Sequence, residues 1–294
     1  MTRILVTGGS GFIGRTLAPG LQALGHEMLA PSHAELDLVD ANAVRDYLRR
    51  EQPDVIVHGA TKPAHRNATD QSRIVETNER MFFNLVRDRE LCPRMVFLSS
   101  GAVYDGGHYE SRMPETYFDT HVPADEHGFS KYVIAKYIEM VEYITELRIF
   151  GIFGPHEDYA IRFISNAICK TLFDLPVTLR QDREFSYLWA EDLVPVVAHF
   201  LSRTGGESAY NVAPDEVCQL YDLARLVVEV SGKDLPILVS ATGEGIPYSA
   251  DNARLHAEVP SLRFTPRQEA IERLYRWYAD RTDTIDRSLL LLDR

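Results

Sequence analysis

Val6-Thr7-Gly8-Gly9-Ser10-Gly11-Phe12-Ile13-Gly14 follows a short apolar run, Arg3 to Thr7, and leads into a helical pattern that lasts through Leu24. Gly9, Gly11 and Gly14 fit G-x-G-x-x-G, and Gly8, Gly11 and Gly14 fit the related G-x-x-G-x-x-G. Glycine at these places permits a tight turn, close approach of backbone to a pyrophosphate, and close contact of helix with strand. An anion then rests on the helix N-terminus. A glycine-rich turn without a ligand has the same composition, but a strand before it and a helix after it favour a dinucleotide. An NAD site usually carries an acid at the end of the second strand for the ribose 2′-hydroxyl. Leu29-Ala30-Pro31-Ser32-His33 has none; Ser32 and His33 are instead candidates for a 2′-phosphate, with no arginine beside them. His33 reads equally as an exposed loop side chain, so NAD and NADP both stay open.

Working outward, strand and helix signals alternate. Strands are expected at His26–Ala30, Asp54–Gly59, Arg94–Ser100 and Glu146–Phe153, and helices at Asn42–Arg50, Asn78–Glu90 and Ser130–Val141. Continuous apolar strands separated by helices indicate a parallel sheet covered on both faces. The expected fold is α/β, a doubly wound parallel (Rossmann) sheet with a smaller C-terminal substrate-binding lobe. In that lobe a helix is expected near Arg162–Phe173, a strand near Val177–Arg180 and a terminal helix at Arg267–Asp280. The expected division is 1–155 for the dinucleotide, 156–281 mainly for the substrate with some chain returning to the sheet, and 282–294 as a tail. That tail, with its apolar run Leu289–Leu292, is expected either to fray or to dock on a neighbouring subunit.

The 294 residues carry 31 Lys+Arg against 43 Asp+Glu, a formal charge of −12 with no basic run to offset it. That argues against nucleic-acid partners and against adhesion to an anionic membrane. Cys92, Cys169 and Cys218 are unclustered and match neither a disulfide framework nor a metal site. The first residues enter a strand pattern at once and no apolar stretch approaches a membrane span, so a cytoplasmic protein without a signal peptide is expected.

Further signatures join the glycine loop. Leu36-Asp37-Leu38, Asn78, Leu98-Ser99-Ser100-Gly101-Ala102-Val103-Tyr104, Leu147-Arg148 through Gly154-Pro155, Tyr187–Leu193 and Tyr210-Asn211-Val212 come in order along the chain. Together with T-G-G-S-G-F-I-G they resemble the extended short-chain dehydrogenases/reductases, the epimerases, dehydratases and reductases of nucleotide sugars, over nearly the whole chain. The resemblance implies NAD(P) as cofactor, a nucleotide-sugar substrate and a homodimer. It also implies a cofactor site at Gly8–Gly14, Ser32, His33, Asp37, Leu38, Ala60, Thr61, Lys62, Asn78 and Lys131. Lys62 reads equally as a solvated lysine. The dimer elements of the group are its helices at Asn78–Glu90 and Ser130–Val141, where Phe82, Phe83, Tyr137 and Met140 suit either an apolar seam or the core.

These enzymes use a Ser, a Tyr and a Lys four residues after the Tyr. The Tyr exchanges a proton with the sugar oxygen, the Lys lowers the Tyr pKa and holds the ribose, and the Ser positions the substrate. Ser100 matches the serine. The family's Y-G-x-S-K reads here His127-Gly128-Phe129-Ser130-Lys131, so Lys131 is the lysine and histidine stands at the tyrosine position. A second Tyr-x-x-x-Lys, Tyr132 to Lys136, lies ~7.5 Å along the helix and ~140° around it, which disfavours that register. Histidine ionises at ~6.5 against ~10 for tyrosine, and Lys131 pushes it lower; it is a usable base, a poor acid at neutral pH, and shorter than phenol. An enzyme with a histidine acid–base, a slowed enzyme, a binding protein without turnover, and an engineered replacement are all open readings.

Gly101-Ala102 stand where 4,6-dehydratases carry Asp-Glu, and Ala102 where C3/C5 epimerase-reductases carry Cys, so neither chemistry is expected. What remains is 4-keto reduction or 4-epimerisation. Tyr104, His156, Arg162 and Arg183 are candidate substrate contacts, with His65 and Arg66 on the loop after Asp54–Gly59. His156 and the two arginines also read as plain surface side chains. The group's asparagine after L-R is Gly151 here and its arginine before Y-L-W-A-E-D-L is Phe185, departures that remove polar contacts to an ordinary UDP-hexose.

Overall fold

The computed structural model describes residues 1–64, 67–203 and 205–291. His65, Arg66 and Leu292, singled out above, lie outside the described residues. Strands β1 (Arg3–Thr7), β2 (Glu27–Leu29), β3 (Val55–His58), β4 (Met95–Ser100) and β5 (Ile144–Ile149) alternate with helices α1 (Phe12–Ala23), α2 (Ala41–Glu51), α3 (Ile74–Val86) and α4 (Glu126–Ile138). Then come β6 (Gly151–Phe153), α5 (Phe163–Leu172), β7 (Val177–Leu179), β8 (Glu184–Phe185), β9 (Tyr187–Trp189), α6 (Leu193–Phe200) and β10 (Ala209–Val212). The chain closes with β11 (Cys218–Gln219), α7 (Leu220–Ser231), β12 (Ile237–Val239), α8 (Ala253–Glu258), α9 (Arg267–Ala279) and α10 (Arg287–Leu290).

The main sheet has six strands in the order β10-β5-β4-β3-β1-β2, and every pairing in it is parallel. Successive residues of a strand point to opposite faces. Ile4, Val6, Val57 and Val96 accordingly enter one apolar cluster with α1 and α6, while Leu5, Ile56 and Phe97 enter another with α2, α3 and α4. Both faces are buried, which is why the central parts of β1, β3 and β4 are apolar on both sides rather than alternating. Strand order reverses between β1 and β3, and a crevice opens at their carboxyl ends.

The expected elements of the first half are present, with shifted ends. Helix α4 starts at Glu126 rather than Ser130, because Asp125 caps it by accepting from the Gly128 N–H at 2.8 Å. His127 therefore sits in a helical first turn. The expected strand Glu146–Phe153 is two strands broken at Phe150, since β5 pairs with β4 and β10 whereas β6 pairs with β9.

The second lobe is more regular than its sequence suggests. Helices α5, α7 and α9 surround a core of Ile164, Ile168, Val227, Ile271 and Leu274. Ile285 and Leu290 are buried in the same core, so the terminal segment, as far as residue 291, docks on its own lobe. Helix α6, strand β10 and helix α8 return to the main sheet. Among the described residues no helix is long and apolar enough to cross a membrane.

Candidate active site

The crevice at the β1/β3 reversal is a cleft of about 580 Å³ lined by Gly8, Ser10, Gly11, Phe12, Ile13 and Gly14. His33, Asp37, Leu38, Ala60, Thr61 and Lys62 complete its wall. The glycine loop is held tightly enough to need its glycines. Gly8 has φ +75°, a left-handed conformation that costs L-residues, and a Cβ there would lie 2.9 Å from the Ala60 nitrogen. At Gly14 a Cβ would lie 2.2 Å from the Gly8 carbonyl oxygen, so α1 meets the loop backbone directly. Helix α1 begins after Gly11, whose position at the N-cap supplies no side-chain cap, leaving its first N–H groups toward the cleft. These features fit a dinucleotide.

Three sequence-expected cofactor residues do other work. Ser32 is turned away, its hydroxyl and N–H both donating to Glu35 at 2.8 and 2.7 Å. Gly9 does not line the cleft; its missing side chain lets the loop pass Ala30, whose Cβ would be 2.9 Å from a Cβ at Gly9. Asn78 lies behind the wall, where its Oδ1 accepts from the Lys62 N–H at 2.7 Å and the Thr61 hydroxyl at 3.3 Å. Lys62 does reach the cleft, but its ammonium donates to Asp70 at 2.6 Å.

Ser100 ends β4, and its Oγ accepts from the Ala102 N–H at 3.2 Å. Lys131 is buried, its ammonium over the Phe97 ring at 4.7 Å and donating to the Leu98 carbonyl at 3.4 Å. Leu98 lines the glycine-lined cleft, so Lys131 stands against its wall, and Ser100 lies two residues further along the same strand. Burial pushes the Lys131 ammonium down to about 8, with Glu146 pulling the other way. Burial and then the Lys131 charge push His127 down to about 4, leaving a neutral imidazole whose Nδ1 is buried without a partner. Tyr132 and Lys136 both donate to Asp119 on the outer side of α4, a register that does not face Ser100.

Tyr104 is a correction. The 3-10 turn Gly101–Tyr104 carries it inward, and it is only 1% exposed. Its hydroxyl donates to Asn211 at 2.7 Å and accepts from Arg148 at 2.9 Å, so nothing is left for a substrate. Arg148 in turn donates to Glu146 at 2.9 Å, both fully inside the protein. Glu146→Ala is expected to cost about 3 kcal/mol, because an uncompensated guanidinium stays buried. Urea unfolding checks this, and the pair Glu146→Leu with Arg148→Met should recover most of the loss.

A second cleft, about 710 Å³, lies in the smaller lobe and is lined by Arg180, Gln181, Arg183, Asn166, Gly245 and Ile246 among others. Arg183 is there as expected, its guanidinium over Phe185 at 4.9 Å. Arg162 stands at the N-terminus of α5, close enough for its charge to bear on both His127 and Tyr248. His156 is elsewhere: its ring packs edge-on against Trp277 of α9 at 5.1 Å, with Arg15 and Arg281 as charged neighbours. Phe82 is likewise core, at 0% exposure, whereas Phe83 and Met140 are 37% and 82% exposed.

Sequence reasoning missed Arg180 and Tyr248. Tyr248 comes from the loop after β12, and its hydroxyl lies 3.2 Å from Ser100 Oγ. No local motif marks it, since the contact joins residues far apart in the chain.

Residues 4–213 match the NAD dependent epimerase/dehydratase family. A GDP-L-fucose synthase of Azorhizobium caulinodans is 37% identical over 106 residues, 35% of this chain and 34% of that protein, so that match spans about a third of its length. A dTDP-4-keto-6-deoxy-D-glucose reductase of Streptomyces niveus is 26% identical over 238 residues, covering 79% of this chain and 80% of that one. The crystal structure of a GDP-L-fucose synthetase from Naegleria fowleri bound to NADP shares the fold, with a TM-score of 0.83 at 15% identity over 96% of this chain and 93% of that one. With the match running from the first strand to the last strand of the main sheet, the chain belongs to the NAD dependent epimerase/dehydratase family, whose members bind NAD(P).

Proposed function

We propose that this chain is an NAD(P)-dependent nucleotide-sugar oxidoreductase, a 4-keto-sugar reductase or a 4-epimerase, working at Ser100, His127 and Lys131. The observation that carries this reading is a buried Lys131 on the carbonyl of Leu98, which lines the glycine cleft, with Ser100 two residues further along the same strand. The cofactor would be held by Gly8, Ser10, Gly11, Phe12, Ile13 and Gly14, with His33, Asp37, Leu38, Ala60, Thr61 and Lys62 lining the same cleft. When bound, it supplies or takes up the hydride. Ser100 orients the sugar oxygen, and the Lys131 ammonium stabilises negative charge developing beside it. Arg183 and Arg180 line the lobe cleft and suit a nucleotide diphosphate, each able to grip two oxygens at once. Gly101 and Ala102 hold no proton to move, so the chemistry stays at one carbinol carbon. Exposed Phe83 and Met140 beside α3 and α4 support a second copy of the chain across that face.

A specific observation favours a second reading, a dinucleotide-binding protein without turnover. The neutral His127 cannot donate a proton at pH 7 as tyrosine does, and its Nδ1 has no partner to orient it. The test is a panel of UDP-, GDP- and dTDP-hexoses and 4-keto sugars with both cofactors in each redox state, followed by absorbance at 340 nm and by product analysis. Hydride transfer or an epimerised product is the expected result. Tight cofactor binding with no conversion across the panel would leave the silent reading standing.

A further inference from the structure

We propose that Tyr248, delivered by the smaller lobe, is the proton donor and acceptor for the substrate oxygen held by Ser100. The inference rests on the oxidoreductase reading and names the acid–base that the His127 position lacks.

The geometry is specific. The Tyr248 hydroxyl and Ser100 Oγ are 3.2 Å apart, close enough for one sugar oxygen to hydrogen-bond both. The phenol is also held in place. Its ring sits among Tyr109, Phe150 and Phe185, at centroid distances of 5.1, 4.9 and 5.1 Å. Its backbone is pinned on both sides: the Tyr248 N–H donates to the Glu184 carbonyl at 2.8 Å and the Ser186 N–H to the Tyr248 carbonyl at 3.0 Å. A group fixed by packing and by backbone pairing loses little freedom when it acts.

The aromatic cage explains two departures from the family pattern together with the third. Phe185, where the group has arginine, packs against Tyr248 with the rings tilted 54°. Gly151, where it has asparagine, has no room for a side chain: a Cβ there would lie 2.4 Å from the Ser186 carbonyl oxygen. Losing the two polar groups thus brings the β8–β9 segment against β6 and seats Tyr248 over Ser100, while the third departure removes the phenol at residue 127. Gly245 and Ile246, just before Tyr248, line the lobe cleft with Arg183, and the Arg183 charge bears on Tyr248, so a diphosphate on Arg183 would lie near this phenol.

In the reductive direction the electron pair arrives as hydride from a reduced nicotinamide. The Tyr248 O–H bond breaks as the proton moves to the carbonyl oxygen, giving an alcohol and a phenolate, and water reprotonates the phenolate. Oxidation runs the same transfers backward. The charged groups that bear on Tyr248 are Arg162 and Arg183, both favouring the phenolate, while burial opposes it and raises the group overall. The neighbouring Glu184 carboxylate is occupied by Ser111 and Ser249 at 2.6 and 2.5 Å, and Tyr109 is itself held protonated by burial.

The experiment uses the full chain with NAD(P), the nucleotide-sugar panel above, and the variants Tyr248→Phe and Tyr248→Phe with His127→Tyr. The expected result is a kcat fall of a hundredfold or more in Tyr248→Phe. Its KM and its calorimetric affinity for the converted sugar nucleotide should stay within threefold, and the double variant should regain at least tenfold. A second readout needs no turnover. The ultraviolet difference between wild type and Tyr248→Phe should show one tyrosine ionising at least one pH unit lower once oxidised cofactor is bound. Wild-type rates in Tyr248→Phe, or no such shift, would overturn this inference and leave the oxidoreductase reading intact. No conversion by wild type with any sugar overturns both.

Discussion

Gly14→Val is expected to lower the affinity for NAD and NADP at least a thousandfold, about 4 kcal/mol, and to destabilise the fold by about 2 kcal/mol. The reason is local and steric. A Cβ at Gly14 would lie 2.2 Å from the Gly8 carbonyl oxygen, 2.6 Å from the Gly9 Cα and 2.8 Å from the Gly9 carbonyl carbon. All three are backbone atoms, so no rotamer change relieves the contact and the loop or α1 must move. Moving the loop displaces the N–H groups at the start of α1, on which the pyrophosphate depends. Gly11 is the control. Its Cβ would meet only the Gly8 oxygen, at 3.3 Å, so Gly11→Ala should cost roughly tenfold in affinity, about 1.4 kcal/mol. Calorimetric titration with each cofactor and thermal unfolding decide the matter. Cofactor affinity within threefold of wild type in Gly14→Val would remove the glycine loop from the site.

Lys131→Met is expected to move activity and stability in opposite directions. On the oxidoreductase reading hydride transfer should fall about a thousandfold, because the positive charge held against cleft residue Leu98 is lost. Stability should rise by about 1–2 kcal/mol. Burial holds the Lys131 ammonium down at about 8 against an ordinary 10.5. Between those two values the unfolded chain binds the proton and the folded chain does not, so stability climbs with pH across that window. Below pH 8 both states are charged and the folded state carries the full desolvation cost, on the order of 3 kcal/mol. Loss of the Leu98 hydrogen bond and the Phe97 contact offsets part of the gain. The stabilisation should therefore be largest below pH 8 and vanish above pH 10.5, as read by urea unfolding at several pH values. Wild-type hydride transfer should also decline above about pH 8 as Lys131 loses its charge. A variant that is inactive and equally destabilised at every pH would mark Lys131 as a purely structural residue.

The parts of this protein that were legible in its sequence are those whose determinants are local. The β1–loop–α1 unit follows from a run of apolar residues, glycines at fixed spacing and a helical period. Its structure differs from the reading only in the roles of Gly9 and Ser32. The places of Ser100 at the end of a strand and of Lys131 on a helix were legible for the same reason. Tyr104 was not. Its spacing from Ser100 says nothing about direction, and the turn that carries it inward is stabilised by Arg148 and Asn211 from other strands. Helices α6 and α7 went unread because α6 is short and apolar all round and α7 follows directly on the brief strand β11, so neither offers a clear boundary.

The sequence by itself determined a doubly wound sheet, a glycine loop at its switch point and a histidine at residue 127 four positions before a buried lysine. Each of these depends on residues within a few turns of one another. Only the tertiary structure decided what faces Ser100. Tyr248 lies 148 residues away in sequence; its backbone bridges to Phe185 of β8, and β9, the next strand, pairs with β6 where Gly151 leaves no room for a side chain. Such a contact is specified by the meeting of two lobes, and no spacing along either one encodes it.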